Sequence, residues 1–232
     1  MSAKPNQREA RFYKTVERFL RVRFGCFDTA QDTGTRYGRV DVVGIRDVGG
    51  RLGGEVEVVA VEVKGGNQAS NTATGQALGY SVYAERCYLA DLRPSTQPYS
   101  LEEIDIASRL GVGLLAIHSK GDPTEVLTSP LHTPLPRMRA EIIEKLGYSK
   151  CVACGSVFKQ GEPGQWGKYV SRSIRKALDQ EKGFVFWLDE LNERRDVPHV
   201  YNYMRRYLCR DCVWNLYHEL IPDGQTKQAT RR

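Results

Sequence analysis

Val58-Val59-Ala60-Val61-Glu62-Val63-Lys64 is a nearly continuous apolar run that ends in two charges. β-Branched residues without polar alternation predict a strand buried on both faces, and that requires a sheet covered by helices on each side. Charges at the end of such a strand are costly unless they are used. Side chains alternate along a strand, so Glu62 and Lys64 point one way and Val63 the other. Asp41 sits on the preceding predicted strand, Arg39–Arg46. A Gly-rich connection (Gly49, Gly50, Gly53, Gly54) leads to the next strand, Glu55–Lys64, and the resulting antiparallel hairpin brings Asp41 beside Glu62. Two facing carboxylates repel. A divalent cation removes that conflict, and hard oxygen ligands with open water positions suit Mg²⁺ or Mn²⁺. Lys64 is then placed to orient an attacking water, while the metal polarises a phosphodiester and stabilises the charge that builds on it. The plainer alternative is a solvated strand on which Glu62 pairs with Lys64. The buried character of the run weighs against it.

The remaining pattern is α/β. Phe12, Val16, Phe19 and Leu20 recur at helical spacing and predict a helix over Gln7–Arg23, with Glu17 flanking the apolar stripe. A short strand (Phe24–Asp28), a polar loop (Thr29–Gly38) and the two hairpin strands follow. A Gly/Asn/Ser/Thr-rich stretch then opens a second helix, Ala73–Arg86. Next come a strand (Cys87–Ala90), a helix started by Ser100 with Glu103 three residues on, and an apolar strand (Val112–His118). Four prolines between Asp122 and Pro136 predict a linker. The expected organisation is a domain over 1–136, a second module over 137–221 and a disordered basic tail over 222–232.

In this order, Asp41 followed by Glu62-Val63-Lys64 resembles the PD-(D/E)xK nuclease superfamily. Val40 replaces the proline often found before the first acid, which gives the Gly-x-Val-Asp form. Gln76 and Tyr80, four apart on the second helix, are similar to the QxxxY element of the RecB-like branch. The resemblance spans Gln7 to His118. It implies a restriction-endonuclease-like core, αβββαβ, with a mixed sheet flanked by helices. It also implies metal-dependent hydrolysis of DNA. Asp41, Glu62 and the Val63 carbonyl would then be Mg²⁺ ligands, with Glu17 as an additional acid, Lys64 on the nucleophilic water and Gln76 near the catalytic centre.

The cysteines point to a second metal. Cys151-Val152-Ala153-Cys154 and Cys209-Arg210-Asp211-Cys212 supply four thiolates, the set that closes a tetrahedral Zn²⁺ shell. Gly155 permits the tight turn after the first pair. The spacing resembles a zinc ribbon or treble clef with a long insertion, a small and mainly helical module. An iron–sulfur cluster is the rival. Residues 1–136 hold 16 basic and 16 acidic side chains, whereas 137–232 hold 18 against 12, so the whole net charge of +6 belongs to the C-terminal part. A basic module beside a neutral one suits a polyanion, DNA ahead of RNA. No run is long and apolar enough for a membrane span, and the basic N-terminus is unlike a secretory signal, so the expected location is cytoplasmic, nucleoid-associated when DNA is bound. Two cuts on a duplex would call for a homodimer. The expected function is therefore an Mg²⁺-dependent deoxyribonuclease, an endonuclease, with a zinc-stabilised DNA-recognition module. The alternatives are a catalytically inactive nuclease-like scaffold that binds DNA, and a protein-interaction adaptor.

Overall fold

A computed structural model describes residues 7–36, 38–49, 55–66, 70–94, 99–119, 122–151 and 154–159. The chain divides into two units, Met1–Leu146 and Gly147–Arg232.

The first unit is built on a six-stranded mixed sheet flanked by helices. Its strands are β1 (Cys26–Thr35), β2 (Gly38–Asp47), β3 (Val56–Lys64), β4 (Arg86–Leu92), β5 (Gly113–Ile117) and β6 (Thr124–Leu127), and they lie in sequence order across the sheet. β1, β2 and β3 form an antiparallel meander. β3, β4 and β5 are parallel, and β6 returns antiparallel along β5. Parallel neighbours need crossovers, which α3 (Ser70–Gly79) and α4 (Leu101–Leu110) supply. All nine residues of β3 are buried, as the uninterrupted apolar run requires.

The sheet has a core on each side. On one, Tyr13, Val16, Phe19 and Leu20 of α2 (Tyr13–Arg23) pack with Val42, Val59, Val61 and Val63. On the other, Ala73 and Ala77 of α3 and Ala107 of α4 pack with Leu89, Leu114 and Ala116. The small alanines let these helices lie close to the parallel strands. Ser100 caps α4 in the expected capping box with Glu103, and Gly111 ends the helix at φ +73°.

Several elements differ from the sequence expectation. The first helix is broken: α1 (Gln7–Ala10) and α2 are separated by a turn at Arg11–Phe12. The segment expected to be a loop over 29–38 is mostly strand. β1 is a polar edge strand whose backbone pairs with β2 from Cys26 to Thr35, so its side chains need not be apolar. The second helix ends at Gly79 and passes into a 3₁₀ turn, Tyr80–Val82. The proline-rich stretch is not simply a linker, because it contains β6.

The boundary also moves. A fifth helix, α5 (Pro136–Lys145), was expected to open the second module. It belongs instead to the first unit, which runs to Leu146. Arg139 pairs with Glu85 and donates to the Val56 carbonyl at 2.5 Å, and Glu141 accepts the Arg36 N–H at 2.8 Å. Among the described residues, no helix is long and apolar enough to cross a membrane.

In the second unit, β7 (Tyr148–Lys150) and β8 (Val157–Lys159) form an antiparallel hairpin. No described residue there is helical, and the expected helical part of this module lies outside the described residues, as does the 222–232 tail.

Candidate active site

β2 and β3 pair as far as Val42 opposite Val61. One step further the register sets Asp41 across from Glu62. There the Asp41 side chain takes over from the backbone ladder: Oδ2 accepts the Val63 N–H at 2.8 Å. Its other oxygen, Oδ1, accepts from the Tyr13 hydroxyl at 2.8 Å. Glu62 is held on both sides as well. Oε1 accepts from the Lys64 ammonium at 2.5 Å, and Oε2 accepts from the Tyr80 hydroxyl, which also lies 3.0 Å from the Arg39 carbonyl oxygen. Glu62 and Lys64 are each only 5% exposed, so this is a buried ion pair and not the solvated strand of the plainer reading.

The electrostatics follow from that burial. Desolvation pushes the Asp41 carboxyl up to about 6, and the neighbouring charge of Glu62 adds to the rise. Burial works against the Lys64 ammonium. The hydrogen bond and charge of Glu62, with Glu9 and Asp41 behind it, outweigh burial and hold its pKa above the ordinary lysine value. Lys64 is therefore a cation at neutral pH. Burial, then the charges of Glu62 and Asp41, keep the Tyr80 hydroxyl protonated, as a donor should be.

Of the residues expected at the site, Asp41, Glu62, Val63, Lys64 and Gln76 are brought together. Val63 turns its side chain into the core and its N–H onto Asp41. Gln76 is exposed on α3 and lines the same cleft as Asp41, Glu62 and Tyr80. Glu17 does not join them. It accepts from the Thr29 hydroxyl at 3.0 Å and from the Gln31 amide, both on β1. It lies four residues beyond Tyr13, about 6 Å along the helix axis, and this carries it past Asp41 to the edge strand.

The first-helix acid near the site is Glu9. Its carboxylate is 4.0 Å from Lys64 Nζ, and burial raises its pKa. The sequence holds a signal for it. Glu9, Tyr13, Val16 and Leu20 follow the i, i+4, i+7, i+11 spacing of one helix face, so an acid lies in line with the buried stripe. Asp91, beside Lys64 in the β3–β4 register, is a further buried acid, but Arg93 Nε lies 3.0 Å from it.

Three carboxylates, Glu9, Asp41 and Glu62, thus share one ammonium. Among the described residues, no three His, Cys, Asp or Glu side chains converge as a ready-made metal group. The donor set nevertheless suits a hard dication: the carboxylates are largely buried and in excess of the available positive charge, and Asp41 resists ionisation because it is desolvated and Glu62 is near. Asp41, Glu62 and the Val63 carbonyl could hold it.

In the second unit, Cys151 and Cys154 flank the hairpin turn. The Cys151 N–H donates to the Ser156 carbonyl at 2.8 Å and the Gly155 N–H to the Cys151 carbonyl at 2.9 Å, with Gly155 at φ +79°. The glycine meets the positive φ that the tight turn demands. Cys154 Sγ lies 3.2 Å from Ser156 Oγ. Cys209 and Cys212 lie outside the described residues.

No family model matches the chain, and no curated protein matches it. A solved structure described as "SPO1766 protein of unknown function from Silicibacter pomeroyi" is similar at 25% identity over 63% of this chain and 86% of that one. Its TM-score of 0.39 is too low for the likeness to bear on fold or function.

Proposed function

We propose that the protein is a divalent-cation-dependent deoxyribonuclease of the PD-(D/E)xK type, an endonuclease with a zinc-stabilised module that contacts nucleic acid. The observation that carries this reading is the pairing of Asp41 and Glu62 where β2 and β3 part, with Lys64 held as an ammonium on Glu62. Asp41, Glu62 and the Val63 carbonyl would hold Mg²⁺ or Mn²⁺, and Glu9 would take the place expected of Glu17. The metal, when bound, polarises the scissile phosphodiester and lowers the pKa of a water.

The chain's own residues hold that arrangement ready. Tyr13 and the Val63 N–H fix Asp41, while Tyr80 and Lys64 fix Glu62. Electrostatic stabilisation works best when donors and charges are positioned before the reaction begins. Because Lys64 stays protonated, it serves as a cation that orients water and offsets phosphate charge, and not as a general base. Cys151 and Cys154, with Cys209 and Cys212, would hold structural Zn²⁺. The positive charge of the C-terminal part suits phosphate contacts.

Plasmid DNA incubated with Mg²⁺ tests the proposal. Asp41→Ala and Lys64→Ala should each lower the cleavage rate by about 10²-fold or more. Activity surviving both substitutions would sink it. One observation favours a second reading, a nuclease-like scaffold that binds DNA without cutting. All four oxygens of Asp41 and Glu62 already have protein donors. Salt-dependent DNA binding with no cleavage by the wild type would select that reading.

A further inference from the structure

The carboxylate pair does not sit on a flat surface. It lines a cleft of about 630 Å³. Its lining also includes Tyr80, Val82 and Leu135, the buried side chains Tyr83 and Met138, and one cation, Arg39. The Leu135 N–H donates to the Val82 carbonyl at 3.0 Å, which ties the segment before α5 to the 3₁₀ turn. The Thr35 and Tyr83 hydroxyls, 3.0 Å apart, add a polar pair to the wall. Leu135 and Val82 are 54% and 36% exposed, large apolar side chains that the core does not account for.

Hydrolysis of a phosphodiester needs the acids alone. Contact with the outside of a duplex calls for cations along the sugar–phosphate backbone, since the bases are stacked out of reach, whereas the cation in the cleft lining, Arg39, is paired with Asp32. An apolar, tyrosine-lined recess next to the acids matches another object: one nucleotide whose phosphate lies at the carboxylates and whose unstacked base lies against apolar side chains. The volume falls within the range of small-ligand sites, about 300–1,000 Å³ in general.

We infer that Val82 and Leu135, exposed apolar side chains on the wall of the cleft, form a nucleobase subsite, and that the substrate is DNA with an unpaired nucleotide beside the scissile phosphate. The inference deepens the nuclease reading and rests on it for the identity of the reaction.

The test uses the full chain and one oligodeoxynucleotide sequence carrying 2-aminopurine, single-stranded or annealed to its complement. Cleavage is followed in Mg²⁺ and base fluorescence in Ca²⁺. Leu135→Glu and Val82→Glu place a carboxylate in the path of the base at exposed positions, and their thermal melts should match the wild type. The wild type should cut the single strand at least about 10-fold faster than the duplex. Each variant should lose most of that preference and weaken the fluorescence change on binding. If the wild type cuts nothing but the fluorescence change occurs and both variants weaken it, the nuclease reading fails and the base subsite stands. Equal rates on both substrates, or variants whose fluorescence response equals the wild type's, would overturn the subsite.

Discussion

Asp41 and its two donors are where the chemistry of a single residue can be read out. A carboxyl whose pKa rises to about 6 on folding is ionised more readily in the unfolded chain, so its charge opposes folding. That opposition is absent below the ordinary aspartate range, grows as pH rises through it, and is complete above about 6. A dication bound to Asp41 and Glu62 cancels it only where Asp41 is ionised. Mg²⁺ or Ca²⁺ should therefore raise the melting temperature at pH 8 and have little effect at pH 5, as calorimetry with and without cation would show. Tyr13→Phe supplies the sharper version. The Tyr13 hydroxyl lowers the Asp41 pKa by donating to Oδ1. Its removal should cost about 1.5–3 kcal/mol in a urea melt, the range for a hydrogen bond to a charged group. It should also move the midpoint of the cation effect to higher pH, which a merely structural tyrosine would not do. Asp41, Glu62 and Lys64 were legible in the sequence because charge at the end of an apolar strand conflicts with burial. Tyr13 was legible only as part of an apolar stripe, since nothing in the helical periodicity marks where its hydroxyl points. Glu9 shares the sequence spacing of Tyr13, Val16 and Leu20, whereas Glu17 only flanks that stripe, but the spacing alone does not show that a polar residue at its start is buried beside Lys64.

At the scale of elements, what the sequence disclosed depended on how much apolar surface each one buries. β3, wholly buried, and α2, with a clear stripe, announce themselves. β1 does not, because its order comes from backbone pairing with β2 and from polar contacts such as Thr29 and Gln31 on Glu17. β6, four residues with no buried side chain, is equally silent. Close packing between elements is also hidden until the fold is known. Gly44 lies in the middle of β2, where α2 and β1 close upon it. A Cβ there would stand 2.7 Å from Cys26 Sγ and 3.3 Å from Leu20 Cδ1. Neither neighbour can yield freely, since both are buried in the same core. Gly44→Ala should therefore destabilise the fold by about 1–3 kcal/mol, the usual cost of overpacking. The denaturation midpoint should fall without a change in slope. Adding Cys26→Ala should recover part of the loss, and no recovery would show that the strain lies elsewhere.

For the molecule as a whole, the question is where the first unit ends. The four prolines placed the end at Pro136, because proline clusters interrupt helical and strand patterns. Packing places it at Leu146. The ten residues of α5 are not an outlying connection. Met138, Ile142 and Ile143 are buried, Met138 forms part of the cleft wall, and Arg139 joins Glu85 on one side and the Val56 carbonyl on the other. Glu85 in turn accepts the Val58 N–H at 2.8 Å, so the helix is tied to the start of the strand that ends in Glu62 and Lys64. Three buried apolar side chains at about 1.5–3 kcal/mol each amount to roughly 4.5–9 kcal/mol, as much as the entire stability of many domains. A chain ending at residue 146 should unfold cooperatively in a circular-dichroism melt. One ending at residue 136 should be largely unfolded at 25 °C and should expose an apolar surface that binds a hydrophobic dye. Glu85→Gln in the longer chain should fall between the two, because it removes the charge facing Arg139 and leaves the apolar face of α5 in place. Identical melts for the two truncated chains would mean that α5 contributes nothing to the first unit, and the cleft would then lose the wall that Leu135 and Met138 give it.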